Sequence, residues 1–152
     1  MFFAVSVRTD SKMPVLFRFV RQEVIGYEIG KNIDSDLSMS ALGNAIATRG
    51  RHKGLIFHSD RGTQYSSKKY KAMLKNGIVS SMSAPGCPYD NSCMESFFAS
   101  LKKELIYRKK YATIDDVKTD VFRYIELFYN RKRLHSSLGY MSPVEYRLKN
   151  CI

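Results

Sequence analysis

The chain has no tryptophan, only four prolines and only three cysteines among its 152 residues. Cys87, Cys93 and Cys151 make an odd number without a CxxC pair. That speaks against a disulfide framework and against a zinc knuckle, and makes a reducing compartment the expectation. No stretch approaches the roughly 18 apolar residues of a membrane span. The start, Met1-Phe2-Phe3-Ala4-Val5, lacks the basic leader and cleavage site of a secretory signal. No membrane partner is expected, and repeats and low-complexity tracts are missing too. Acidic residues are scarce, 14 Asp and Glu against 25 Lys and Arg, for a net charge of +11.

What is present is enough apolar material for one packed core, 44% hydrophobic residues with 26% charged, which excludes a disordered chain. The basic excess is uneven. Residues 1–50 carry 6 bases and 5 acids, whereas residues 51–152 carry 19 and 9. Such a bias suggests a polyanionic partner, although a basic surface kept for solubility is the plain alternative.

Runs at 13–20 and 23–29 read as strands, and Asp34 or Ser35 caps a helix ending at Gly50. Gly54 to His58 reads as a buried strand. A helix from Ser66 or Ser67 closes at Gly77, and Ile78 to Met82 forms another strand. Pro85, Gly86 and Pro88 deny regular structure to 83–89. A helix then begins near Asp90 or Asn91, with Met94, Phe97, Phe98, Leu101 and Leu105 along one face. Thr113 and Asp116 form a capping box for a helix burying Val117, Val121, Tyr124, Ile125 and Phe128. Ser142, Pro143 and Glu145 open a short final helix. The order is α/β, with helices on a mixed sheet and a helical C-terminal part.

Asp60 follows directly on a strand, where α/β sheets place ligand-contacting groups. Glu95 lies in the first turns of a long helix, and Lys102, seven residues on, projects from the same side. Two carboxylates would suit a hard cation, and the lysine a phosphate. The plain alternative has Asp60 capping a turn and Glu95 favouring a helix N-terminus.

The wording around these residues separates the two. His58-Ser59-Asp60-Arg61-Gly62-Thr63-Gln64-Tyr65 resembles the HSDRGxQY segment of insertion-sequence transposases of the IS-three family, which have a retroviral-integrase-like core. The likeness continues through Ser81-Met82-Ser83, Gly86, Tyr89-Asp90-Asn91, Glu95-Ser96-Phe97-Phe98, Leu101-Lys102 and Glu104. It ends in Tyr129-Asn130, Arg133, His135, Leu138-Gly139-Tyr140 and Ser142-Pro143, similar to that family's YNxxRxHxxLGYxSP tail. The resemblance implies an RNase H-like domain that cleaves and transfers DNA strands. It makes Asp60 and Glu95 the second and third carboxylates of a DDE triad, both catalytic and metal-ligating, with two Mg²⁺ (or Mn²⁺) ions. It makes Lys102 a DNA contact. The local charge and the tail extend DNA contact to Arg131, Arg133 and His135. Tyr129 and Tyr140 are expected to pack the loop onto the domain, and His58 to orient Asp60 or to sit buried and satisfied. DNA is the implied partner, alongside a second copy or a full-length transposase, in a bacterial cytoplasm at the nucleoid.

Two departures qualify this. Between Asp60 and Glu95 lie 34 residues, one fewer than the family pattern. No W-x-x-D-like strand supplies the first carboxylate, and Asp10, the one acid before Glu23, has polar neighbours. Residues 1–20 are therefore expected to stand outside the match and 21–152 to form a partial core, its first strand or strands missing or altered and an edge left open. The expected function is that of a truncated transposase, weakly active or inactive. The alternative is a non-catalytic DNA-binding remnant that interferes with an intact enzyme.

Overall fold

The structure, a computed structural model, describes residues 2–8, 12–18, 21–32, 34–50, 55–59, 65, 67–74, 77–82 and 92–150. Among these residues five strands form one mixed sheet: β1 (Phe2–Arg8), β2 (Lys12–Arg18), β3 (Glu23–Tyr27), β4 (Leu55–Ser59) and β5 (Ile78–Met82), in the order β3-β2-β1-β4-β5. β1, β2 and β3 make an antiparallel meander, while β4 runs parallel to both β1 and β5. The first 20 residues thus supply the central strand and its neighbour. The strand expected to be missing or altered is present, and what is altered is its sequence, which holds no Asp or Glu. The expected open edge beside it is filled: β1 is paired on both sides, and the sheet edges are β3 and β5.

Alternation along β2 and β3 explains why both sheet faces are covered. Met13, Val15 and Val24 belong to one core, Leu16 and Ile25 to the other. On the first face lie helix α3 (Ser92–Glu104), through Met94, Phe97, Phe98 and Leu101, and helix α4 (Ile114–Phe122), through Val121. On the second lie α1 (Ser35–Arg49), through Ala41, Leu42 and Ala45, and α2 (Lys68–Leu74), through Tyr70 and Leu74. Each such side chain taken fully from water contributes about 1.5–3 kcal/mol for the larger types. A final helix, α5 (Pro143–Asn150), follows the tail.

Local signals fix the helix ends. Asp34 accepts from the Leu37 amide at 2.8 Å, and Gly50, at φ 75°, closes α1 by donating to the Ile46 carbonyl. At α4 the capping box is complete: Asp116 N donates to Thr113 Oγ1 at 3.1 Å, and Thr113 N to Asp116 Oδ2 at 3.0 Å. Ser142 and Glu145 repeat the device at α5.

One local feature departs from expectation. After Phe122 the helix widens into a π-helix over Arg123–Tyr129, with i to i+5 bonds such as Asn130 N to Ile125 O at 3.0 Å. The extra residue per turn shifts the buried face. Phe128, expected inside, is 41% exposed, and Tyr129 takes its place in the core at 2%.

Candidate active site and the C-terminal motif

The sheet order creates a switch point between β1 and β4. From β1 the chain moves off to β2 and β3, and β5 lies on the opposite side of β4, so the carboxyl ends of these two parallel strands meet where open α/β sheets place their ligand sites. Asp60 is the residue directly after β4 and lies outside the described residues, as does Asp10. Its immediate support is described. Ser59, buried, pairs in register with Ala4 of β1 and Met82 of β5. His58 is buried, with Nδ1 3.0 Å from Ser81 Oγ of the neighbouring strand, so its ring is engaged across the sheet.

The strand beside β4 therefore brings Ala4, then Val5 and Ser6, to the switch point. Glu95 stands exposed in the first turn of α3, a helix that packs across β1, and Lys102 lies half-buried two turns further on. Among the described residues no group of three or more His, Cys, Asp or Glu is placed to hold a metal ion.

The tail is built differently from a solvated basic loop. Arg133 lays its guanidinium on Glu104 of α3, with Nη2 to Oε1 at 3.1 Å and Nε to Oε1 at 3.2 Å. It also reaches Ser100 Oγ at 3.2 Å and stacks 5.6 Å over the Tyr129 ring. The Tyr124 hydroxyl donates to the same carboxylate at 2.7 Å. Burial opposes the Glu104 charge, yet the Arg133 and Tyr124 hydrogen bonds hold its carboxyl below the usual range. His135 is 6% exposed and packs edge-on against Tyr129. Burial first, and the Arg133 charge second, push its imidazole down to about 4. Nδ1 lies 2.9 Å from Gln22 Oε1, and an amide oxygen only accepts, so Nδ1 carries the proton.

Asn130 completes the attachment. Its Oδ1 accepts from Val24 N at 3.0 Å and its Nδ2 donates to Val24 O at 2.9 Å, so one side chain pairs with the β3 edge as another strand would. The sequence gives no sign of this clamp or of the Glu104–Arg133 pair, because separations of 106 and 29 residues leave no local signal. Of the four expected DNA contacts, Arg131 is exposed and Lys102 half-buried, while the half-buried Arg133 is engaged by Glu104 and His135 is buried. Tyr129 packs as expected; Tyr140 does not, at 72% exposed with φ 58°.

Residues 18–88 and 95–150 both match the family described as the integrase core domain. The chain is 40% identical over 148 residues to the transposase InsF of insertion sequence IS3A from Escherichia coli, covering 95% of this chain and 51% of that protein. It is 38% identical over 130 residues to the transposase of insertion sequence element IS904 from Lactococcus lactis, covering 85% and 51%. The chain spans about half the length of the curated relatives it matches. In fold it is similar to the catalytic core domain of BIV integrase, at TM-score 0.73 and 18% identity over 97% of this chain and 93% of that one. It is also similar to the HTLV-2 integrase catalytic core in complex with magnesium, at 0.72 and 12% over 95% and 93%. A third likeness is to a chain of the simian T-cell lymphotropic virus intasome, at 0.76 and 15% over 95% and 52%. At these identities the structures speak for the fold alone, which is RNase H-like. The chain belongs to the insertion-sequence transposases of the IS3 family, with an integrase core.

Proposed function

We propose that this chain is a transposase core serving DNA strand cleavage and transfer, whose own turnover is low because its carboxylate set is incomplete. The observation that carries the reading is the switch point: β1 lies beside β4 with Ala4 opposite Ser59, and Phe2–Arg8 contains no acid. Asp60 and Glu95 are the catalytic carboxylates in this reading. Lys102, two turns beyond Glu95, holds a phosphate of the bound strand.

Divalent-metal chemistry comes to this chain from the family and from the HTLV-2 core in complex with magnesium. Two carboxylate oxygens suit a hard cation, but a pair of ions sharing a third carboxylate does not fit a β1 of this sequence. Metal roles each supply several kcal/mol in such reactions, and about 1.4 kcal/mol is tenfold in rate. A missing shared ligand therefore lowers turnover by orders of magnitude. The same observation favours a second reading, a DNA-binding protein that competes with an intact transposase. DNA is the partner in both, with a second copy or a full-length transposase beside it. No helix among the described residues is long and apolar enough to cross a membrane, and a bacterial cytoplasmic location at the nucleoid is part of the proposal.

The test is nicking of plasmid DNA by the purified chain with Mg²⁺ or Mn²⁺, beside Asp60→Asn and Glu95→Gln. Faint nicking that both substitutions abolish supports the crippled enzyme. DNA binding without nicking supports the competitor. Nicking at a rate of ordinary enzymes, lost in both variants, would show that a third ligand exists and would overturn the incomplete set.

A further inference from the structure

Beyond the switch point, charge is concentrated at the other end of α3. Residues 102–111 hold five bases and one acid, and residues 120–133 hold four bases and two acids, so these two short segments carry +6 of the chain's +11. The structure ties them together. Glu104 binds Arg133 at 3.1 Å, and Asp120 binds Lys109 at 2.7 Å. Arg108 donates to the Lys103 carbonyl at 3.1 Å, which seats its side chain over the end of α3. The ion pairs have a consequence for the surface: two of the three acids in this region are consumed in holding it together. Lys103, Arg108, Lys110, Arg123, Arg131 and Lys132 are left exposed, and none of the six makes an ion pair among the described residues. Tyr107, 71% exposed on the 3₁₀ turn Ile106–Arg108, stands among them.

We propose that this end of α3, with the turn at 131–132, is a second nucleic-acid face that binds the phosphate backbone of a duplex. It rests on the reading of the chain as a DNA-binding transposase core, and adds a contact that the catalytic end does not make. Lys103 lies eight residues beyond Glu95, about 12 Å along the helix axis. Phosphates held here are thus about three to four base pairs or more from Glu95. The face reads no sequence, since exposed cations on phosphates position a duplex without touching base edges. It needs neither a metal nor the missing carboxylate, and so survives whatever β1 has lost.

Fluorescence anisotropy with a labelled duplex of mixed sequence, followed from low to moderate salt, tests this. Lys103→Glu with Arg108→Glu, and Arg131→Glu with Lys132→Glu, are compared with Lys68→Glu with Lys71→Glu, which makes the same change of net charge on α2 across the sheet. Each pair at the α3 end weakens binding at least tenfold and reduces the slope of log affinity against log salt by about 2; the α2 pair does neither. Far-UV circular dichroism confirms that the variants fold. Equal losses from all three pairs would mean that net charge alone is felt, and would overturn the face. A wild-type chain with no affinity for duplex DNA would overturn the transposase reading as well.

Discussion

Arg133 and His135 show how far a residue's role is set by its neighbours. Both stand in a run of basic residues, Arg131 to His135, that suggests phosphate contact, yet Arg133 is bound to Glu104 and His135 is buried against Tyr129. The imidazole gives a measurable signature. In the native state it stays neutral down to about pH 4, against an ordinary value of 6.5 in the unfolded chain. Between those values the unfolded chain binds the extra proton. The stability is therefore fully present above about pH 6.5, declines as pH falls, and is gone below about pH 4. By pH 5 the loss is about 2 kcal/mol. In His135→Asn the amide Nδ2 takes over the donation to Gln22 without titrating. Urea unfolding at pH 7.5 and pH 5 should show the wild type losing about 2 kcal/mol more than this variant; equal losses would mean that the imidazole is solvated. Gln22, which receives the tail, sits at φ 47°, an unusual conformation for a side-chain-bearing residue.

At the scale of elements, much was legible because the signals are local. The Asp34, Thr113 and Ser142 caps and the Gly50 stop are all formed at the positions their sequence suggests. So is the α3 stripe of Met94, Phe97, Phe98 and Leu101. The π-helix was not legible, because the apolar spacing of Val117 to Phe128 fits an ordinary helix. The widening brings Asn130 to the β3 edge and Tyr129 against Phe97, with ring centroids 4.9 Å apart. Its reason lies in the partners it docks on. The packing of α1 on β3 is also decided by contact, at Gly26. A Cβ there would lie 2.6 Å from both the Ala41 carbonyl oxygen and the Ala45 Cβ, so helix and strand would have to part. Gly26→Ala should destabilise the fold by about 1–3 kcal/mol, read as a lower urea midpoint with unchanged slope. An unchanged midpoint would show that α1 sits further from β3.

For the whole molecule, the decisive contacts are long-range. Gln22 meets His135 and Ser137, and Val24 meets Asn130, across more than a hundred residues. The buried Glu23 carboxylate reaches Arg147 of α5 at 3.4 Å. The tail is thus part of the cooperative unit and covers the β3 edge, which would otherwise offer unpaired backbone groups for aggregation. A chain ending at Phe128 should lose cooperative unfolding and bind a hydrophobic dye. Retention of a sharp urea transition would show that the tail is an appendage.

The sequence by itself determined the caps at Asp34, Thr113 and Ser142, the stop at Gly50, the basic bias and the Asp60 and Glu95 motif blocks. These depend on interactions within a few residues or on composition. The tertiary structure alone decided that Phe2–Arg8 is the central strand, that this strand faces the switch point without a carboxylate, and that Asn130, Arg133 and His135 serve the fold. Strand neighbours and buried polar pairs are chosen by packing between segments far apart in the chain, and no short window of residues contains that choice.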